Sequence, residues 1–239
     1  MTFDFTGQVV MVTGATGNLG SVTARAFWAA GAHLVLVDRV AGRLAQIFPD
    51  LAGSPDHCLA DGTDARDLPA MQQAVTRSLD QFGRLDALVN TVGGFKGGAP
   101  LHQTPLDTWD FLINLNAQTV FVACKAAAPA MLSRKAGKIV NVSARAGLAG
   151  SAGLGAYSAS KSAVIRLTES LAAELKNEGI NVNCVLPGTI DTPKNRENNP
   201  TADFSRWVSP QAIAEVILFL ASGAARAIHG AAIPVYGLS

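Results

Sequence analysis

Tyr157 and Lys161 stand four residues apart in the stretch AYSASK, among side chains that are otherwise small. On a helix this spacing puts both on one face about a turn apart, so the ammonium can stand close to the phenol oxygen. A free tyrosine has a pKa of ~10 and is protonated at neutral pH, whereas a cation within a few ångströms favours the phenolate and draws the group towards general acid-base work. The same two residues also read as a packed tyrosine and a solvated lysine, so the pair decides nothing alone. A second candidate is the turn Thr13-Gly14-Ala15-Thr16-Gly17-Asn18-Leu19-Gly20, with Asp38 following 18 residues after Gly20. Glycines there let backbone approach a pyrophosphate, a helix N-terminus supplies amide donors, and an acid at about this distance receives ribose hydroxyls. Taken singly, Asp38 also reads as a solvated turn residue.

Positioning these groups falls to an alternation of short apolar runs and longer helical patterns. Strands are expected near 8–13, 33–37, 56–60, 86–89, 138–142, 180–186 and 231–235, and helices near 18–30, 67–82, 116–133, 157–176 and 210–221. From Tyr157 to Lys176, Val164, Leu167, Leu171 and Leu175 recur at helical spacing with no proline or glycine between them. Strands apolar on both faces, alternating with helices, indicate a parallel sheet covered on each side. With no repeat, low-complexity run or linker, residues 1–239 read as one domain, and the polar segment 193–206 as a mobile loop on its rim.

Composition narrows the function classes. The chain has 239 residues, 49% hydrophobic and 15% charged, which suits a compact globular protein and opposes disorder. A net charge of +1 leaves no electrostatic footprint for nucleic acid or an anionic membrane. Cys58, Cys124 and Cys184 are odd in number and far apart, without a histidine cluster, so they imply neither a disulfide framework nor a metal site. A reducing, cytoplasmic setting suits them. The opening MTFDFTGQVVMVTG has no basic region ahead of its apolar run, and nowhere do 18 apolar residues stand together, so secretion and membrane spanning are not expected.

From end to end the sequence resembles the short-chain dehydrogenase/reductase family. It carries the Gly-rich turn, the Tyr157/Lys161 pair, Asn90-Thr91-Val92-Gly93 as a version of the family's Asn-Asn-Ala-Gly, and Pro187-Gly188 followed by Thr192. The resemblance implies a doubly wound Rossmann fold (α/β) with a seven-stranded parallel sheet, a short substrate-loop segment near 193–207 and a nicotinamide dinucleotide as cofactor. Gly14, Thr16, Gly17, Asn18, Leu19 and Gly20 would cradle it, and Asp38 and Arg39 would meet the adenosine ribose. Asp61 and Gly62 would meet the adenine, Asn90 to Gly93 would line the fourth strand, and Pro187, Gly188, Ile190 and Thr192 would hold the carboxamide end. Tyr157 would be the acid or base, Lys161 would lower its pKa and grip the nicotinamide ribose, and Asn116 would hold a water linking Lys161 to solvent. Asn116 also reads as a helix cap. The implied activity is hydride transfer between NAD(P) and a small carbonyl, alcohol or conjugated ring, in a cytoplasmic homotetramer or dimer without a metal.

Three departures qualify this. The commonest family pattern has glycine at 18, where this chain has Asn18, a residue that tolerates left-handed backbone. Asp38 accepts hydrogen bonds from the free hydroxyls of NAD while Arg39 could welcome the phosphate of NADP, so NAD is favoured and NADP possible. Third, the family's catalytic serine stands thirteen residues ahead of the tyrosine, where this chain has Ala144. Ser143 is adjacent, but successive strand side chains point to opposite faces. Ser151, a water or the substrate itself would then stabilise the substrate oxygen, or ordinary ketones would react slowly. Dihydropteridine reductases of this family work without the serine. The rival reading is a regulatory or scaffold protein that binds a dinucleotide and has little catalytic power.

Overall fold

The computed structural model describes residues 3–239. Seven strands form one sheet: β1 (Val9–Thr13), β2 (His33–Asp38), β3 (His57–Asp61), β4 (Ala87–Asn90), β5 (Gly137–Val142), β6 (Ile180–Pro187) and β7 (Ala232–Val235). Their order is β3-β2-β1-β4-β5-β6-β7, with every pairing parallel. All five residues of β1 and all eight of β6 are buried, as strands covered on both faces must be.

The helices are α1 (Asn18–Ala29), α2 (Arg43–Ile47), α3 (Leu68–Phe82), α4 (Leu106–Leu112), α5 (Thr119–Arg134), α6 (Gly155–Leu175), α7 (Pro193–Asn198) and α8 (Pro210–Ala221). On one face Met71 of α3, Ala127 of α5 and Val164 of α6 pack with Met11, Leu88 and Ile139. On the other, Leu19 and Phe27 of α1 and Ile217 of α8 pack with Val12, Leu36 and Val140. Strand order reverses between β1 and β4, so the carboxyl ends of these two strands diverge and open a crevice.

The expected strands and long helices are present, and three short helices are additional. The segment expected as a loop at 193–206 begins with α7, where Pro193 takes the first helical position and the Thr192 hydroxyl accepts from Asn195 N at 3.2 Å. Such a cap stabilises a helix by about 1 kcal/mol. Helix α4 runs into α5 through a π-helical segment, Ile113–Gln118. The continuous helix Leu106–Arg134 is long and apolar enough to cross a membrane, yet 56% of its most apolar window is buried inside the fold.

Candidate active site

Both chemical candidates lie at the carboxyl ends of the strands. The turn after β1 is tight: Gly14 has φ +67° and accepts from Gly17 N at 3.0 Å. A Cβ on Gly20 would stand 2.1 Å from Gly14 O, and one on Gly14 would stand 3.0 Å from a Val92 methyl. Gly20 is therefore required by contact, and Gly14 by contact as well as by dihedral angle. Asn18 is the first residue of α1 and has no left-handed φ, so it is a helix-start residue that needs no special backbone tolerance.

Gly14, Thr16, Gly17, Asp38 and Arg39 line a half-open cleft of about 310 Å³, together with Thr91, Val92 and Gly93. The Asp38 carboxylate accepts from Thr16 Oγ1 at 2.6 Å and from Val40 N at 3.0 Å, which fixes it in the cleft wall. Arg43, Thr63, Asp64, Arg66, Leu115 and Thr119 also line the cleft. Sequence reasoning missed them because Thr63, Asp64 and Arg66 lie in irregular chain after β3, whereas Arg43, Leu115 and Thr119 are brought in by the short helix α2, the π-helical segment and the start of α5. Thr63 carried the only available signal, two residues beyond β3, where its N–H donates to Asp38 O at 2.9 Å. A dinucleotide fits this donor set: the Cβ-free turn admits a pyrophosphate at the start of α1, and an acid stands at the end of β2.

Other expected contacts lie elsewhere. Asp61 is outside the cleft lining and accepts from Leu44 N at 3.2 Å at the start of α2, while Gly62, with φ +72°, turns the chain towards Thr63. Leu19 packs in the core beneath the turn. Pro187 ends β6, Gly188 lies against Tyr236 and Ser239, Ile190 bridges Val208, and Thr192 caps α7. None of these four lines the cleft. The Asn90 side chain is buried in the sheet and donates to Asn141 Oδ1 at 2.9 Å. It belongs to a polar thread in which Thr13 Oγ1 donates to Asn90 Oδ1 and Asn141 Nδ2 donates to Thr168 Oγ1 on α6.

Tyr157 and Lys161 occupy successive turns of α6, as the spacing predicts. Lys161 is 4% exposed and its Nζ donates to Val142 O at 3.1 Å. Burial brings its ammonium down to about 8. Burial likewise pushes the half-buried Tyr157 phenol up to about 12. Here the ammonium is turned to the end of β5, and desolvation governs the phenol.

Asn116 sits in the π-helical segment and is fully buried. Its Oδ1 accepts from Gly94 N at 2.9 Å, while Nδ2 donates to Gly94 O at 3.1 Å and to Ser160 Oγ at 2.9 Å. It is therefore not a helix cap. A Cβ on Gly93 would stand 3.1 Å from both Asn116 Oδ1 and Lys161 Nζ, so this glycine leaves open the junction of cleft, asparagine and lysine. Ser160, also missed in the sequence, completes the junction by donating to Tyr157 O at 2.7 Å. Ala144 stands two residues beyond β5 in extended backbone and is buried. The neighbouring Ser143 hydroxyl is engaged elsewhere, donating to Lys161 O at 2.7 Å. Ser151 is exposed on the loop ahead of α6. Among the described residues no cluster of histidine, cysteine and acid is arranged to hold a metal.

Comparison with known proteins agrees with this fold. The family described as short chain dehydrogenase matches residues 8–203. An oxidoreductase named UcpA from Salmonella typhimurium is 35% identical over 234 residues, covering 91% of this chain and 88% of the relative. A 3-oxoacyl-[acyl-carrier-protein] reductase from Synechocystis is 33% identical over 228 residues, covering 93% of this chain and 92% of that one. A solved structure of ElxO with NADP bound superposes with a TM-score of 0.87 at 27% identity, covering 96% of this chain and 97% of that one.

Proposed function

The chain belongs to the short-chain dehydrogenase family and is an NAD(P)-dependent oxidoreductase, and from that premise we propose that Tyr157, Lys161 and Asn116 carry its chemistry. A nicotinamide bound in the cleft supplies or accepts a hydride. In reduction Tyr157 gives its proton to the substrate oxygen, and in oxidation it takes that proton back. A phenol pushed up to about 12 stays protonated at neutral pH, which suits the acid role. Lys161, brought down to about 8, exchanges a proton near neutral pH and passes it along the opening beside Gly93. The observation that carries the reading is that junction, where a Cβ on Gly93 would stand 3.1 Å from both Lys161 Nζ and Asn116 Oδ1, with Tyr157 one helical turn before Lys161 on α6.

The dinucleotide is held by Gly14, Thr16, Gly17, Asn18, Leu19 and Gly20, by Asp38 and Arg39, and by Thr91 to Gly93. Asp61, Gly62 and Asn90 would meet the adenine and nicotinamide ends, and Pro187, Gly188, Ile190 and Thr192, which lie outside the cleft lining, would hold the carboxamide end. NAD is the favoured form and NADP the possible one. A fixed Asp38 carboxylate repels a 2′-phosphate, although Arg39 and Arg43 line the same end of the cleft. Ala144 occupies the position of the family's serine, so the substrate oxygen is stabilised by another group. Residues 1–239 act as one dinucleotide-binding domain, with 193–207 beside the substrate. A cytoplasmic homotetramer or dimer is the proposed assembly, with the half-exposed Phe121 on α5 available for burial between copies.

The test follows nicotinamide absorbance with NADH, NADPH and their oxidised forms against a panel of carbonyls, alcohols and pterin-like rings. Tyr157→Phe is expected to lose on the order of 10²–10⁴-fold in turnover while still binding NADH by fluorescence. Equal turnover by wild type and variant would remove Tyr157 from the mechanism.

A further inference from the structure

Beside Tyr157 lies a second cavity, of about 320 Å³, that the dinucleotide cleft does not include. Its walls are the glycine-rich loop after β4, the start of α4 and the leading turn of α6. Phe95, Ala99, Pro105, Leu154 and Ala156 give it an apolar lining, and no carboxylate or amide side chain lines it. The Thr104 hydroxyl already donates to Pro100 O and that of Thr108 to Asp107 Oδ1. Lys96, the only charged residue in the lining, rests its ammonium over the Phe111 ring at 4.6 Å. With the polar side chains of its lining engaged elsewhere, the interior favours an apolar guest over one that needs side-chain hydrogen bonds.

Two contacts tie this cavity to the chemistry. The Phe95 ring meets the Tyr157 ring edge to face, with centroids 4.9 Å apart at 78°. Gly98 N donates to Gly153 O at 2.8 Å, latching the loop to the segment ahead of α6. A Cβ on Gly97 would stand 2.7 Å from a Leu154 methyl, so that glycine permits the close approach of the two walls. Phe95 is nevertheless 62% exposed, a large apolar surface that a bound ring would cover. An apolar cavity of about 150 Å³ is enough to take benzene, so the volume here admits a ring with a substituent.

We propose that this cavity receives a compact aromatic or alicyclic ring of the substrate, so that the carbonyl or alcohol acted on at Tyr157 carries such a ring. The assignment rests on Tyr157 being the reacting group. The experiment compares kcat/KM for acetophenone and cyclohexyl methyl ketone with that for butanone, using NADH and NADPH. It does so in the wild type, in Leu154→Trp, which fills the cavity, and in Thr108→Phe, which fills it from the opposite wall. A wild-type preference for the ring ketones of about tenfold or more, abolished in a folded filling variant, is the expected result. No preference in the wild type, or a preference that survives filling, overturns the proposal and leaves the oxidoreductase reading intact. Absence of turnover with all three ketones shifts the readout to calorimetry of 1-phenylethanol and 2-butanol, with and without NAD. Binding of the aromatic alcohol alone, lost in a folded filling variant, supports the ring site, and any other binding pattern overturns it.

Discussion

Tyr157 and Lys161 are neighbours whose proton affinities are driven in opposite directions by one cause, since burial penalises phenolate and ammonium alike. The lysine side has a consequence for stability. An unfolded lysine titrates near 10.5 and the folded Lys161 near 8, so between those values the unfolded chain holds a proton that the folded chain has lost. Stability contributed at this site therefore rises with pH across that window. Below pH 8 both forms are charged and the burial cost, on the order of 3 kcal/mol, is present in full. Lys161→Met is expected to be more stable than the wild type at pH 7, by a margin that shrinks between pH 8 and 10, as measured by urea denaturation. A constant margin across that range would contradict the assignment. The difference between the two proteins is the proper readout, because the buried cysteines titrate too, with Cys184 pushed up to about 11. Ala144 makes a second prediction at this scale: if a missing hydroxyl limits ketone reduction, Ala144→Ser raises kcat by on the order of 10- to 100-fold, and an unchanged rate sends the search to another stabilising group.

At the scale of the element, the turn into α1 is the least forgiving segment. A methyl on Gly20 meets a backbone oxygen that a rotamer change cannot move aside. Gly20→Ala is expected to lower stability by about 1–3 kcal/mol and to weaken NADH binding further than that loss of fold explains. Denaturation and fluorescence titration on the same sample check both effects, and a variant matching the wild type would mean that the turn can shift. This segment was legible in the sequence because glycine spacing is itself the geometric requirement. So were the seven strands, and for β1, β4 and β6 the apolar runs follow from burial on both faces. Helix α4 was not legible, because Leu106, Trp109 and Phe111 leave large apolar surfaces exposed and blur its periodicity. The partners of Asn116 were hidden for another reason: a π-helical insertion changes which residues share a face, and no local signal announces it. Nor could spacing reveal that Lys161 turns to Val142 O, since that contact joins residues nineteen apart.

Across the whole molecule, the crevice where strand order reverses gathers groups from β1, β2, β4, the π segment and α6 into one place. Association of copies is a separate matter of surface. Phe121, Leu132 and Leu148 are exposed apolar residues, and if α5 pairs with a second copy, Phe121→Glu should yield monomers by light scattering where the wild type gives a dimer or tetramer. A monomeric wild type would end that proposal. The polar thread from Thr13 through Asn90 and Asn141 to Thr168 has a different consequence. It fastens the middle of α6 to three strands at the centre of the sheet, through bonds that would be left unpaired in a dry interior if the helix lifted away. The helix carrying Tyr157 and Lys161 is therefore expected to be among the last segments to exchange its amide hydrogens when exchange is followed by mass spectrometry or NMR. The glycine-rich stretch bearing Phe95 is held by fewer bonds, among them Gly98 N to Gly153 O, and is expected to exchange sooner.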